Sequence, residues 1–312
     1  MKIVLIGARG FLGSALLKGL YKDEDSIEWH LFFSSTGSLQ TPFNNCYYHV
    51  YKWPWHSLSD GAYEKIFADA DVIIYAAGAG IQSGEDANEE IIFNLNLFEP
   101  VKLVQKLTRL NFKGQLISFG SYFEIGKDQP RGLLSEQAFL EQCNPLPNAY
   151  CRSKKELSHF HFIQDQTGIE FKWLHLVLTN IYGPGENENR LIPYIIHQSK
   201  QKKPLHFTAG SQIRQYTYVG DIVNVVGGLL GNASGLYHVT NEETVTVKTI
   251  IEEAILQVKN KLSLNPEIHY DLFERRDTAM EYLAISAQKL LRDRDLSCST
   301  NFKEGISLYF NS

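Results

Sequence analysis

Tyr150 and Lys154, in Asn148-Ala149-Tyr150-Cys151-Arg152-Ser153-Lys154, are the residues through which this chain could do chemistry. Four residues apart on a helix, they share one face. A tyrosine with its ordinary pKa of about 10 is a poor acid or base near neutrality. A neighbouring ammonium stabilises the phenolate. Lowering the pKa by about 3 units takes about 4 kcal/mol, within reach of a partly buried site. Such a pair also occurs by chance on surface helices, so its surroundings decide. Upstream lies Phe119-Gly120-Ser121-Tyr122-Phe123-Glu124-Ile125-Gly126, just beyond a candidate strand. Ser121 there can hydrogen-bond a substrate oxygen that gains or loses charge. Ser118 is the rival hydroxyl, but it lies within the strand.

The N-terminus supplies a second constellation. The apolar run Lys2-Ile3-Val4-Leu5-Ile6 enters Gly7-Ala8-Arg9-Gly10-Phe11-Leu12-Gly13 and then the helix-friendly Ser14-Ala15-Leu16-Leu17. Strand, glycine turn and helix in that order make a dinucleotide-binding entry. Gly7 allows the turn, Gly10 lets the backbone approach a pyrophosphate, and Gly13 lets the helix pack on the sheet. The helix start at Phe11 and Leu12 presents free N–H groups to the phosphates. Strand two ends Leu31-Phe32-Phe33-Ser34-Ser35-Thr36, without the acid that usually binds the adenosine ribose. A carboxylate there would repel a 2′-phosphate; Ser34 and Ser35 would not, and Arg9 could bond it. These features favour NADP(H) over NAD(H).

These residues need a scaffold, and the first half alternates strands and helices. Strands are expected at 27–33, 47–51, 71–78 with the small exit Ala76-Ala77-Gly78, 115–119 and 171–178; helices at 90–110 and 149–166. This is an α/β pattern, a doubly wound Rossmann sheet, parallel and covered on both faces. After Thr179 the rhythm changes. Helices are expected near 191–201, 221–230 and 246–259, with a short strand at 236–239, forming a smaller, mostly C-terminal α/β substrate domain. The expected division is 1–179 plus about 216–245 for the dinucleotide, and 180–215 plus 246–312 for the substrate.

Composition sets the outer bounds. The chain has 312 residues, 44% hydrophobic and 21% charged, as an ordinary globular protein has. A net charge of −5 gives no electrostatic reason to expect nucleic acid. No apolar run approaches the roughly 20 residues of a membrane span, and the N-terminus lacks a secretion pattern. Four scattered cysteines have no metal spacing and read as reduced, cytoplasmic thiols. No metal site is expected. His159 and His161, two apart on a helix, read as structural; Trp53 and Trp55 could stack on adenine or simply pack.

Taken jointly, the motifs resemble the extended short-chain dehydrogenase/reductase family, the NAD-dependent epimerase/dehydratases of nucleotide sugars. The resemblance runs over essentially the whole chain. It includes the glycine turn, Ala76-Ala77-Gly78, Ser121, Tyr150-x-x-x-Lys154, Asn180-Ile181-Tyr182-Gly183-Pro184-Gly185 and Gln212 to Asp221. It implies that Asn96 supports the active site, that Asn180 lies near substrate, and that Arg214 binds the nucleotide diphosphate, with Arg275 or Arg276 adding a contact. It also implies a homodimer, packed through the helices 90–110 and 149–166 as a four-helix bundle; by their apolar surface alone these helices could equally just cover the sheet. Departures are Val177, Gln215 and Gly220, where the family has an arginine and two acids, and Lys52-Trp53-Pro54-Trp55 at the strand-three end.

The 4,6-dehydratases carry Asp-Glu directly after the active-site hydroxyl; this chain has Tyr122-Phe123, with Tyr122 read as a substrate contact. The stretch Tyr182 to Ile196 resembles the reductases of nucleotide-linked 4-keto-6-deoxyhexoses, such as the CDP-abequose and CDP-paratose synthases. That resemblance implies NADPH-dependent reduction at C4 in deoxysugar biosynthesis for surface polysaccharide. An NAD-dependent C4-epimerase would use the same residues. A non-catalytic nucleotide-binding module is the third reading, against which the intact Ser121, Tyr150 and Lys154 set argues.

Overall fold

Seven parallel strands form the central sheet, in the order Gly235–Val239, β6 (Lys172–Leu178), β5 (Gln115–Ser121), β4 (Val72–Tyr75), β1 (Lys2–Ile6), β2 (Glu28–Phe33) and β3 (Tyr48–Lys52). The computed structural model describes residues 1–20, 27–33, 48–52, 61–80, 88–270 and 280–311. β4 and β5 are buried along their whole length; β4 reads as a continuous apolar run, while β5 interrupts its own with Gln115, Ser118 and Ser121. Alternate residues feed opposite faces. Ile3 and Leu5 join a core beneath α1 (Phe11–Leu20) and the helix Val219–Leu229. Val4 and Ile6 join the opposite core, with Leu103, Leu107 and Leu157. This is the expected doubly wound sheet. Its strand order reverses between β1 and β4, which opens the ligand crevice at their carboxyl ends.

A third apolar cluster lies apart from the sheet and joins Tyr182, Ile192, Ile195, Leu205, Ile250, Ile251, Ala254 and Phe302. The helices Leu191–Lys200, Val247–Leu262 and Phe302–Asn311 contribute to it. Short pairings not expected from the sequence stitch this region: Tyr216–Tyr218 with Asn180–Tyr182, and Val245–Thr246 with Ile213–Arg214.

Two differences from expectation bear on the site. β5 runs two residues further than its apolar stretch, so Ser121 is its last residue rather than a loop residue beyond it. The single helix expected at 90–110 is three segments, Glu89–Phe93, a π turn at Asn94–Phe98, and Glu99–Arg109. Pro100 has no N–H for the carbonyl four residues earlier, and the ladder slips to the wider register. The N–H of Glu99 accordingly bonds the Asn94 carbonyl.

Candidate active site

The glycine turn has the shape of a phosphate cradle. Gly7 takes φ 87°, and its N–H bonds the carbonyl of Phe32 at 2.8 Å. A Cβ on Gly7 would lie 2.5 Å from the Ala77 nitrogen, and one on Gly13 would lie 2.1 Å from the Gly7 oxygen. A Cβ on Gly10 would meet only the Gly7 oxygen, at 3.3 Å. Gly10 and Arg9 are exposed where α1 begins, so the first-turn N–H groups of Phe11 and Leu12 open on the crevice. The Arg9 guanidinium stands 5.4 Å from the Phe33 ring centre, at the end of β2. A dinucleotide's pyrophosphate fits this cradle. Ser34 and Ser35 lie outside the described residues, as do Trp53, Trp55, Cys46, Arg275 and Arg276.

The reacting set assembles from three elements. Asn148 caps the helix Ala149–Thr167 by accepting from the Cys151 N–H, and this cap places Tyr150 and Lys154 in the first two turns. Ser121 at the end of β5 lies beside the Tyr150 phenol and favours its charged form. The Lys154 ammonium is buried and donates to the Phe119 carbonyl at 2.8 Å. Asn96, on the π turn, accepts from the Ala79 N–H at 3.0 Å. It also donates to the Ala79 carbonyl at 2.8 Å and to Ser153 Oγ at 3.1 Å. The turn itself is held by the Tyr75 hydroxyl, which donates to the Leu95 carbonyl. Asn96 thus ties the Ala76-Ala77-Gly78 exit of β4 to the Tyr150 helix. A Cβ on Gly78 would stand 3.2 Å from Asn96 Oδ1 and 3.9 Å from Lys154 Nζ, and one on Gly80 would meet the Tyr150 ring.

Burial pushes the Tyr150 phenol up to about 12, and the Ser121 hydrogen bond pulls against it. The Lys154 ammonium and an oxidised nicotinamide are expected to favour the phenolate; in this structure burial is the largest influence on Tyr150 and acts the other way. Burial in turn lowers the Lys154 ammonium, while Glu124 opposes that.

Two residues expected as substrate contacts, Tyr122 and Arg214, are buried. Tyr122 is fully buried, its hydroxyl accepting from Asn180 Nδ2 at 2.9 Å and directed at the Gln215 carbonyl. Phe123, not Tyr122, packs edge-on against the Tyr150 ring at 6.3 Å. Arg214 is 2% exposed and donates to the carbonyls of Ile213 and Met280 at 2.7 and 2.6 Å. Arg190 was missed. It pairs with Glu186 at 2.9 Å, donates to the Ile181 carbonyl, and its charge acts on both Tyr122 and Tyr150. An arginine directly before the Leu191-Ile192-Pro193 helix start was the available signal. His159 and His161 each bond a main-chain carbonyl, of Leu140 and Trp173. A surface cavity of about 440 Å³ lined by Glu136, His161, Asp165 and Lys289 shares no residue with this set. Among the described residues no cluster could hold a metal and no helix is long and apolar enough to cross a membrane.

Residues 3–240 match the model of the NAD dependent epimerase/dehydratase family. The chain belongs to this family, and is an NAD(P)-dependent oxidoreductase of the extended short-chain dehydrogenase/reductase type. It is 22% identical to the CDP-abequose synthase of Salmonella typhimurium over 97% of this chain and 95% of that one. Among solved structures it is similar to a dTDP-glucose 4,6-dehydratase from Bacillus anthracis in complex with NAD. There the TM-score is 0.82 at 17% identity, covering 100% of this chain and 96% of that one. It is also similar to the UDP-glucose 4-epimerase of Thermus thermophilus in complex with NAD, with a TM-score of 0.80 at 19% identity, covering 100% and 98%.

Proposed function

We propose that this protein reduces the C4 keto group of a nucleotide-linked 4-keto-6-deoxyhexose with NADPH, as a cytoplasmic homodimer. The observation that supports hydride-transfer chemistry is the convergence of Ser121, Tyr150 and Lys154 beside a glycine cradle. Reduction needs an acid at the carbonyl oxygen, and Tyr150 is that acid. The aromatic pair Tyr122-Phe123 replaces the Asp-Glu of a dehydratase, so no carboxylate directly after Ser121 is available to eliminate water. Similarity to a CDP-abequose synthase along both chains supports the same branch.

The nicotinamide, when bound, supplies the hydride. Ser121 orients and polarises the C4 carbonyl, and Tyr150 gives its proton to that oxygen. Lys154 holds the nicotinamide ribose and offers positive charge to the phenolate left on Tyr150. Asn96 fixes the spacing between these groups and the Ala76-Ala77-Gly78 exit. The cradle of Gly7, Gly10 and Gly13 with Phe11 and Leu12 takes the pyrophosphate. Arg9, poised over Phe33, takes a 2′-phosphate, with Ser34 and Ser35 beside it. Asn180 and Arg190 face the sugar and its diphosphate, and the third apolar cluster is the core of the substrate domain. Exposed Ile91, Phe98, Phe162 and Ile163 on the two helices beside Asn96 and Tyr150 supply the apolar face for a dimer.

Tyr150→Phe tests the assignment. Turnover should fall by about 10²- to 10⁴-fold, the usual worth of a positioned acid, with cofactor affinity retained. Near-normal turnover would remove Tyr150 from the role.

A further inference from the structure

Behind the reacting set lies a buried carboxylate that no motif pointed to. Glu124 is 0% exposed. One oxygen accepts from the Ser121 N–H at 2.6 Å, and the other accepts from the Ser158 hydroxyl at 2.5 Å. Glu124 and Ser121 form a reciprocal cap around the short turn Tyr122–Ile125. The chain of contacts continues inward. Ser158 Oγ is 2.9 Å from His175 Nε2, and His175 Nδ1 is 2.7 Å from Ser118 Oγ. Ser118 Oγ accepts from the Trp173 indole N–H at 2.8 Å. Ser118, Ser158, His175 and Trp173 are all at most 2% exposed, so no bulk water can repair a mismatch.

The two ends of this chain set its direction. An indole N–H can only donate, and an ionised carboxylate can only accept. Burial pushes Glu124 up to about 7, against the pull of Ser158, the Ser121 N–H, Lys154 and Lys155. Trp173 donates to Ser118, Ser118 to His175 Nδ1, His175 Nε2–H to Ser158, and Ser158 to Glu124. Every hydrogen bond runs one way, and His175 is fixed as the neutral Nε2–H tautomer. Burial and the charges of His161 and Lys154 hold that imidazole neutral, well below its ordinary range. Gly120 makes room: a Cβ there would stand 2.7 Å from His175 Nε2 and 2.8 Å from Glu124 Oε1.

We infer that Glu124 is a positioning residue for the reaction, a buried carboxylate at the acceptor end of this one-way chain, which pins Ser121 and stands as the counter-charge to Lys154. The inference rests on the reading of Ser121, Tyr150 and Lys154 as the reacting set. Both charges converge on one short stretch of β5, since Lys154 Nζ bonds the Phe119 carbonyl and Glu124 bonds the Ser121 N–H. The titratable groups facing Glu124 are Tyr150, Cys151, Lys154 and Lys155 of the helix Ala149–Thr167. His175 of β6 reaches it through Ser158, with His161 stacked behind at 5.4 Å. Lys154 and Lys155 are both buried. Lys155 lies against the Gln142 carbonyl, nearer the surface.

Glu124→Gln separates charge from shape. The Ser121 N–H requires an acceptor, so the amide oxygen stays there and the amide NH₂ turns to Ser158. Ser158 then has no acceptor at position 124, and its hydroxyl turns to His175 Nε2, which favours the Nδ1–H tautomer. The experiment is ¹⁵N NMR on full-length protein with labelled histidines, His175 being assigned by loss of its signal in His175→Gln. The neutral Nε2–H tautomer across the neutral pH range, changing to Nδ1–H in Glu124→Gln, is expected. An Nδ1–H tautomer or an imidazolium at position 175 in the unsubstituted protein overturns the inference.

A second arm titrates NADPH fluorescence against pH. Loss of affinity on the alkaline side should begin about one pH unit or more lower in Glu124→Gln, because Lys154 loses its counter-charge. Superimposed curves overturn that part, even if turnover has fallen. Should Glu124→Gln not fold, Ser158→Ala breaks the same chain, and an unchanged His175 spectrum there overturns the proposal. Neither arm needs a sugar substrate, so failure of the proposed reaction and failure of this inference are told apart.

Discussion

Gly13→Ala and Gly10→Ala, two substitutions three residues apart, should separate folding from cofactor binding. At Gly13 the new methyl would lie 2.1 Å from the Gly7 carbonyl oxygen and 2.9 Å from its carbon. An ordinary contact needs more than an ångström of extra room, and the obstacle is backbone that cannot rotate away. α1 must therefore retreat from β1, loosening Leu12, Leu16 and Leu17 in the core beneath it. Overpacking of this kind costs about 1–3 kcal/mol, and a backbone clash belongs at the upper end. Alanine regains about 1 kcal/mol of helix propensity, leaving a net loss of about 2 kcal/mol. At Gly10 the methyl meets the same oxygen at 3.3 Å, so a few tenths of an ångström suffice. Stability there should change by less than about 0.5 kcal/mol, as at an ordinary surface site. The same methyl points where a pyrophosphate must approach the backbone, so NADPH affinity should fall about tenfold or more, about 1.4 kcal/mol. Urea unfolding and fluorescence titration of NADPH measure the two quantities. A Gly13→Ala protein as stable as the parent, or a Gly10→Ala protein with unchanged affinity, would refute the cradle as described.

Arg9→Ala should weaken NADPH about tenfold or more and leave NADH nearly untouched, read by titration of each nucleotide; equal losses would remove the 2′-phosphate assignment. Gln115 is fully buried, donates to the carbonyls of Leu229 and Ala233, and accepts from the Gly231 N–H. Gln115→Leu strands all three groups and should cost about 3 kcal/mol or more in urea unfolding. Burial raises Glu186 from 4.5 to about 7, against the pull of Arg190. Its contribution to stability is therefore full below pH about 4.5 and is lost as pH rises through about 7. Glu186→Gln should accordingly gain on the parent over that window by up to about 3 kcal/mol, and then level off; a pH-independent difference in urea unfolding would contradict this.

What the sequence disclosed depended on how local each cause is. The glycine turn and the Asn148 to Lys154 helix start are set by neighbours within a few residues, and both formed as read. The parallel sheet was legible because strands buried on two faces are mostly apolar. The end of β5 was not, because Gly120 and Ser121 carry no apolar signal; their place in the strand is fixed by pairing with Val177 and Leu178. The π turn carrying Asn96 hid inside a good helical pattern, although Pro100 marks it in hindsight. Tyr122 and Arg214 were read by type, as polar groups fit for a substrate. Their inward orientation is set by Asn180, Gln215 and Met280, from 58 to 93 residues away, and local spacing reveals none of this. Glu124 was invisible for the same reason, its partner Ser158 lying 34 residues on.

The most direct measurement is to offer the purified protein a panel of nucleotide-linked 4-keto-6-deoxyhexoses, with NADPH or NADH, and to follow absorbance of the reduced nicotinamide. Stoichiometric oxidation of NADPH with at least one member, slower with NADH and abolished in Tyr150→Phe, is the predicted result. No oxidation with any member, together with interconversion of 4-hydroxy sugars by protein that retains bound NAD, would contradict the reductase and leave an epimerase in its place.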